Sequence, residues 1–318
     1  MLKGMNTMTN YVILTDSGTD FSKKVAKELD VHVVDLFVTI EGKDPVPDSE
    51  MDPKVLYEML RAKHKASTAA VNIDDFIRTM EGYLKEGKDV LYLGFSSGLS
   101  STYAAGHCAA EELAAKYPER KIYTVDTLCA SLGEGLLVYC AAKMRKNGES
   151  IEKVRDFAEN CKLNLCHWFT VDDLFFLKRG GRVGAATAVV GTVLGIKPIM
   201  HVDNEGKLVK VGVARGRKAS IDAMFDKVKD TMISLKEDLS SVSDDLKDGI
   251  GRIKELTADL QNTIFISHGD CEEDAGYLAN RLKKELGIKD VFVDFVGSVI
   301  GSHSGPGTLA IFYLGTQR

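Results

Sequence analysis

The feature that most constrains the fold is an alternation of short apolar runs with helical patterns through the first half of the chain. Each apolar run is followed by a stretch that has the 3.6-residue periodicity of a helix. The apolar runs occupy 11–14, 31–40, 89–95 and 121–125, and the helical patterns occupy 21–29, 53–63, 73–86, 99–116 and 131–146. This order predicts a parallel sheet with helices on both faces, in which ligands bind at the carboxyl ends of the strands.

The second half has a different pattern and predicts an α+β domain. Strands at 196–203 and 207–214 are joined by Asn204-Glu205-Gly206, which is a hairpin signal. A long charged helical region follows at about 219–260, and further strands are predicted at 263–267, 291–295 and 308–314. We therefore expect an α/β protein of two domains, with a flexible tail at 1–10, a parallel Rossmann-like domain at 11–165 and an α+β domain at 166–318.

Composition and charge narrow the possible functions. The net charge of −5 over 318 residues, with Lys and Arg spread along the helices, argues against nucleic acid as a partner. The longest uncharged apolar stretch, 183–196, is too short to span a bilayer, and residues 1–10 have no signal-peptide pattern. The six cysteines contain no C-x-x-C pair, so we expect neither disulfides nor a metal site, and a reducing, cytoplasmic location.

The turn at 94–102 is the strongest functional signal. Five of the seven residues from Ser96 to Thr102 carry hydroxyls, between a predicted strand and a predicted helix. Clustered hydroxyls and free backbone N–H groups at a helix start suit an anionic or carbonyl oxygen. The same letters fit the G-x-S-x-G nucleophile elbow with Ser96 as nucleophile, or simple helix capping. Asp16, Ser97 and Asp126 each follow a strand end and can share one edge of the sheet.

Two histidines lie in contexts that suggest a site. His303 lies in Gly301-Ser302-His303-Ser304-Gly305-Pro306-Gly307, which we interpret as a tight loop between two strands, and small neighbours leave its ring accessible. We expect it to bind or to catalyse. His268 also follows a predicted strand and is expected to be a turn residue or a supporting one.

Taken together, these motifs resemble the DegV family of fatty-acid-binding proteins, over 11–315. Each motif is weak alone, but their order and spacing are specific. The matching pieces are Thr15-Asp16-Ser17, the Ser96–Thr102 turn, Asp126-Thr127 with Ser131-Leu132-Gly133-Glu134-Gly135, Leu177-Lys178-Arg179-Gly180-Gly181-Arg182, Gly195-Ile196-Lys197-Pro198-Ile199, Arg215-Gly216-Arg217-Lys218 and His303-Ser304-Gly305-Pro306-Gly307.

The resemblance implies two α/β domains that enclose one long-chain fatty acid in a tunnel between them. It implies a non-catalytic carrier, without a cofactor, that presents the carboxyl group to a separate fatty-acid kinase. The family's carboxyl-binding residues match Thr68, Ser97 and His303, although Ala69 stands where the family commonly has serine.

Further residues are expected to support the site. Two regions of the chain are also singled out, one for the acyl tail and one because its length differs from the family pattern. The supporting residues are Ser96, Gly98, Asp16, Arg179, Arg182 and His268. The acyl tail is expected to lie along 185–196, and the 219–260 region is longer than the family pattern.

Two other functions stay open at this point. A serine hydrolase that acts on an acyl ester would use Ser96 and His303 with Asp270 or Asp294 as the acid, although an HGGG-like oxyanion loop is missing from the sequence. A distant likeness to dihydroxyacetone-binding proteins would instead make His303 the ligand of a small carbonyl compound.

Overall fold

The computed structural model describes residues 10–184, 195–233, 262–316 and 318. Three predictions therefore fall wholly or largely outside the described residues: the tail at 1–10, the acyl-lining run at 185–196 and most of the helical region at 219–260. Elements are numbered below in chain order over the described part.

The first half is built on a four-stranded parallel sheet, as the alternation predicts. Its strand order is β2-β1-β6-β7. β1 is entirely buried and β6 nearly so, because helices cover both faces of a parallel sheet. The strands are β1 (Tyr11–Asp16), β2 (His32–Val34), β6 (Asp89–Gly94) and β7 (Ile122–Asp126), and the helices of this half are α1 (Lys23–Leu29), α2 (Pro53–Arg61), α3 (Ile73–Lys85), α4 (Thr102–Lys116), α5 (Leu132–Lys146) and α6 (Ile151–Cys161).

The prediction of a single strand at 31–40 is wrong, because the structure has two strands there, His32–Val34 and Phe37–Ile40. The chain leaves the parallel sheet after β2 and enters a small antiparallel sheet of order β4-β3-β5. At the break, the backbone N–H of Leu36 donates to Ser17 Oγ at 3.0 Å and its carbonyl accepts from Asp48 N–H at 2.9 Å, so Leu36 bonds outside both sheets. The strands are β3 (Phe37–Ile40), β4 (Val46–Pro47) and β5 (Ala66–Ala69).

The second half is built on a six-stranded mixed sheet of order β10-β9-β8-β13-β11-β12. The predicted hairpin is confirmed, since β9 and β10 pair antiparallel, and Gly206 in its tip has a φ of +72°. The strands are β8 (Leu165–Thr170), β9 (Ile196–Val202), β10 (Leu208–Arg215), β11 (Thr263–His268), β12 (Asp290–Phe295) and β13 (Leu309–Leu314), and the helices are α7 (Phe175–Arg179), α8 (Arg217–Thr231), α9 (Glu272–Leu286) and α10 (Ser298–Ser304).

Helix α10 joins the two halves. The segment around His303, predicted as a loop, is this short helix, and it packs against α2 and β5 of the first half. Tyr57 of α2 is fully buried, and its hydroxyl donates to the carbonyl of Val296 at 2.9 Å. A Cβ at Gly301 would lie 2.5 Å from the Tyr57 oxygen, so a residue without a side chain is needed for this contact. α10 therefore carries His303 into the first half.

No helix in the described part of the chain is long and apolar enough to cross a membrane. The six cysteines, all of which fall within the described ranges, form no disulfide. Among the described residues, no group of three or more His, Cys, Asp or Glu side chains is arranged to hold a metal ion.

Candidate functional site

A cavity of about 270 Å³ lies between the two halves and is called the central cavity below. Its walls come from β5, from the turn between β6 and α4, from β8 and β13, and from α10. Most of the wall is apolar, with side chains that include Leu36, Phe95, Phe169, Val296, Val299 and Phe312. Polar side chains gather around the C-terminal end of α10; they are Thr68, Ser100, Ser101, Arg182, His303 and Ser304.

Thr68 and His303 are in direct contact, although 235 residues separate them in sequence. Thr68 Oγ1 lies 2.7 Å from His303 Nε2. Burial lowers the pKa of His303 to about 4, with smaller contributions from the nearby Arg182 and Arg179 cations. The imidazole is therefore neutral near pH 7. Gly180 packs against the ring, since a Cβ there would lie 2.2 Å from His303 Nδ1.

The two arginines predicted near the domain junction differ in position. Arg182 is half-buried and lines the central cavity, and its guanidinium donates to the carbonyls of Leu99 (from Nε, at 3.2 Å) and Gly180. Burial lowers the Arg182 pKa from its ordinary value. Arg179 is exposed, lies outside the cavity lining and stacks over Phe176 at 5.0 Å. Among the described residues, Arg182 is therefore the one of these two arginines that places a cation at the cavity wall.

The hydroxyl-rich turn divides into two parts, and Ser97, the serine expected to bind the carboxyl group, lies outside the lining of the central cavity. Ser97 is exposed and does not line the cavity, and its backbone N–H donates to Asp126 Oδ1 at 3.2 Å. Ser100 and Ser101 line the cavity instead. The turn curls tightly between Ser97 and Ser100, because the N–H groups of Leu99 and Ser100 both donate to the carbonyl of Ser96.

Ser96 and Gly98 contact the hairpin tip. Ser96 is fully buried, donates from Oγ to the carbonyl of Gly206 at 2.8 Å, and accepts from Gly98 N–H at 3.2 Å. A Cβ at Gly98 would lie 2.6 Å from the carbonyl oxygen of Glu205. Neither residue lines the central cavity. These contacts hold the turn against the β9–β10 hairpin.

Asp16 and His268 do not line the cavity either. Asp16 is fully buried and accepts hydrogen bonds from Tyr92 Oη at 2.7 Å, Phe95 N–H at 3.0 Å and Gly18 N–H at 3.0 Å. Burial raises the Asp16 pKa to about 6 despite these bonds. The His268 ring packs against Phe295 in a tilted arrangement, with ring centroids 4.5 Å apart. Both residues are held by contacts within the fold, and the supporting role expected for them stays a prediction.

The residues of the hydrolase alternative are not assembled into a triad. The Ser96 hydroxyl is engaged with Gly206, whereas His303 is bonded to Thr68. Asp270 forms an ion pair with Arg61, and Asp294 lines a different cleft of the surface.

Ser304 belongs to the polar end of the cavity but had no separate signal in the sequence. It is 4% exposed, and its hydroxyl has no hydrogen-bond partner among the described residues. Ser302, on the same helix, donates to the carbonyl of Ser298 at 2.7 Å, as a helical serine commonly does. Ser304 directly follows His303 on α10. The sequence analysis interpreted this segment as a loop, and therefore gave no reason to single out Ser304.

Comparison with known proteins identifies the family. A family model described as an uncharacterised protein of the DegV family matches residues 10–316. A DegV domain-containing protein of Clostridium perfringens is 41% identical over 313 residues, which cover 98% of this chain and 99% of that relative. The chain belongs to the DegV family. The predicted family and fold class are therefore confirmed.

Solved structures of other DegV proteins superpose over nearly the whole chain. A structure described as fatty-acid binding of a DegV family protein from Thermus thermophilus matches with a TM-score of 0.76 and 28% identity, covering 96% of this chain and all of that one. The Fak B3 protein of the Streptococcus pneumoniae fatty acid kinase, loaded with linoleic acid, matches with a TM-score of 0.77 over 96% of this chain and 99% of that one. At 19% identity, this second likeness concerns the fold.

Proposed function

We propose that this DegV protein is a carrier that binds one long-chain fatty acid in the central cavity, with the carboxyl group at the Thr68–His303 end. The observation that carries the proposal is the lining of the cavity, which is mostly apolar and has its one cation and most of its hydroxyls, among the described residues, at the Thr68–His303 end. The other polar residues of the lining are Ser131, His167, Ser267 and Thr308. Solved DegV proteins with bound or described fatty acids support it.

The exposure of the residues that line the cavity supports a direction for the ligand. At the polar end Ser101 is exposed and Arg182 is half-buried, whereas Phe312 and His167 at the opposite wall are buried. An ionised carboxylate is costly to bury, so it belongs at the end nearer to solvent. The acyl chain then lies along the apolar wall, where each buried methylene contributes roughly 0.8 kcal/mol.

The polar end supplies the hydrogen bonds that a carboxylate requires. The hydroxyls of Thr68, Ser100 and Ser304 can donate to it, and the Arg182 cation offsets its charge. The Ser304 hydroxyl gains the partner that it lacks among the described residues. We therefore propose Ser100, in place of Ser97, as the carboxyl-binding serine of the turn.

The position of the carboxyl group near the surface also supports presentation to a partner enzyme. We propose that a fatty-acid kinase in the cytoplasm phosphorylates the bound acid, and that this protein supplies no catalytic group. Fak B3, a protein of a fatty acid kinase, has the same fold. Mixing the loaded protein with a fatty-acid kinase and ATP should yield an acyl phosphate that neither protein makes alone.

Mass spectrometry of an organic extract of the purified protein tests the binding proposal. We expect a long-chain fatty acid in about one copy per chain. After the lipid is removed, Thr68→Val should weaken rebinding, whereas Ser67→Ala, an exposed neighbour on the same strand, should not. An empty extract together with no rebinding would contradict the proposal.

A further inference from the structure

Two serines bring hydroxyl groups to the buried wall of the central cavity, far from its polar end. Ser131 precedes α5 and Ser267 lies in β11, and both line the cavity. Their Oγ atoms are 2.9 Å apart, and Ser131 also bonds through Oγ to Asp20 Oδ2. All three side chains are more than nine-tenths buried, with exposures of 5% for Ser131, 0% for Ser267 and 8% for Asp20.

Through Asp20, this serine pair lies near the N-terminal end of α10. The Asp20 carboxylate packs against Gly297, where a Cβ would lie 2.5 Å from Asp20 Oδ1. Gly297 directly precedes α10, and His303 lies six residues further on, or about 9 Å along a helix axis. The serine pair is thus separated from the carboxyl site by roughly the length of α10.

The sheet places Ser267 among apolar neighbours that face the same cavity. Ser267 is paired with Ala310 of β13, and Ala310 is paired in turn with Phe169 of β8. Ala310 and Phe169 both line the cavity. The Ser267 hydroxyl is thus a polar group in an otherwise apolar row of the cavity wall.

The Ser267 hydroxyl has unused hydrogen-bonding capacity. A serine hydroxyl can donate once and accept twice, and Ser131 is the partner found for Ser267 among the described residues. Burial raises the Asp20 pKa well above its ordinary value, with the Asp48 and Asp294 charges adding to the rise. A protonated Asp20 can donate to Ser131, and Ser131 can then donate to Ser267. The Ser267 hydroxyl is therefore able to act either as a donor or as an acceptor towards the cavity.

We propose that the cavity is built for long-chain fatty acids that carry an oxygen, as a hydroxyl or keto group, part-way along the acyl chain, and that Ser267 bonds to that oxygen. This inference rests on the proposed fatty-acid carrier function and adds the class of acid. Such a bond favours an oxygen-bearing chain over a plain one, because the Ser267 hydroxyl gains a second partner that a methylene chain does not offer.

The test compares acids of one chain length on delipidated protein. The probes are stearic acid, 18-carbon acids hydroxylated at carbon 8, 10 or 12, and 2-hydroxystearic acid, whose hydroxyl stays beside the carboxyl group. We expect at least one mid-chain hydroxy acid to bind wild-type protein more tightly than stearic acid, by roughly two- to tenfold, the range of one hydrogen bond. The 2-hydroxy acid should show no such preference.

Two variants assign the preference to the serine pair. Ser267→Ala should abolish the preference, mainly by lowering the affinity for the hydroxy acid. Ser131→Gly should reduce it and should fold well, because Ser131 has φ 56° and ψ −150°, which favour glycine. The matched control is Ser302→Ala, which removes a buried hydroxyl that does not face the cavity.

The outcomes separate the two levels of the proposal. If no acid binds to the wild-type protein, the carrier function itself fails, and this inference fails with it. If stearic acid binds as tightly as every hydroxy acid, or if both serine variants keep the preference, the carrier function stands and the inference is overturned.

Discussion

The hydroxyl-rich turn between β6 and α4 has two parts that face different neighbours. Ser96 and Gly98 pack against the tip of the β9–β10 hairpin, through Gly206 and Glu205. Two residues later, Ser100 and Ser101 line the central cavity. The first part fixes the turn on the second half of the chain, and the second part presents hydroxyls to a ligand.

The difference shows that residue type alone does not assign a function within such a turn. Ser96 has a fully buried hydroxyl that bonds to Gly206 and Gly98, Ser97 is exposed, and Ser100 lines the mostly apolar cavity. Changes at the hairpin side should therefore alter stability, and changes at the cavity side should alter ligand affinity. Three predictions test this division, from the largest expected effect to the smallest.

Gly206→Ala should cause the largest loss, on the hairpin side. The φ of Gly206 is +72°, and a Cβ would lie 2.1 Å from Ser96 Oγ. Left-handed strain of about 1–2 kcal/mol and overpacking of about 1–3 kcal/mol should both reduce the free energy of unfolding, measured with urea. Gly87→Ala is the matched control, since its φ is +78° but nothing lies within 4 Å. Equal losses of unfolding free energy in the two variants would contradict the proposed contribution of the contact between turn and hairpin.

On the cavity side, His303 should make the free energy of unfolding of the protein dependent on pH. Its pKa is lowered from 6.5 to about 4 on folding, so the unfolded chain binds this proton first as the pH falls. Stability should therefore decrease from about pH 6.5 to pH 4, by at most about 3 kcal/mol from this group. His303→Gln should remove that component, which urea unfolding at pH 7 and pH 4.5 would detect. An unchanged pH dependence in the variant would mean that His303 is not held neutral.

The two serines of the turn should differ in ligand affinity, which is the smallest effect. Ser100→Ala should weaken fatty-acid binding by roughly two- to tenfold, the range of one neutral hydrogen bond. Ser97→Ala should leave affinity unchanged, because the side chain is exposed outside the cavity. Titration calorimetry of both variants measures this. A loss in Ser97→Ala alone would restore the sequence-based assignment.

Much of the fold follows from local patterns in the sequence. The alternation of apolar runs and helices predicts the parallel sheet, and Asn204-Glu205-Gly206 predicts the hairpin, because both depend on neighbouring residues. The break between β2 and β3 escapes such a pattern. It depends on the bonds of Leu36 to Ser17 and Asp48, which lie elsewhere in the chain.

The candidate site was predictable only in part, for the same reason. His303 was indicated by its glycine- and proline-rich context and Thr68 by the family resemblance, and their contact across 235 residues is visible only in the structure. The curl that separates Ser97 from Ser100, and the pairing of Ser131 with Ser267, are equally set by tertiary contacts. The periodicity of apolar residues along the sequence carries no information about the distances between residues that are far apart in the chain.

A crystal structure of the protein with a bound long-chain fatty acid tests the central claim most directly. We predict one acid in the central cavity, with its carboxylate within hydrogen-bond distance of Thr68 and Ser100, beside His303, and its chain running along α10 towards the Ser131–Ser267 wall. A carboxylate at Ser97, a reversed chain or a cavity that stays empty at saturating acid would contradict the account.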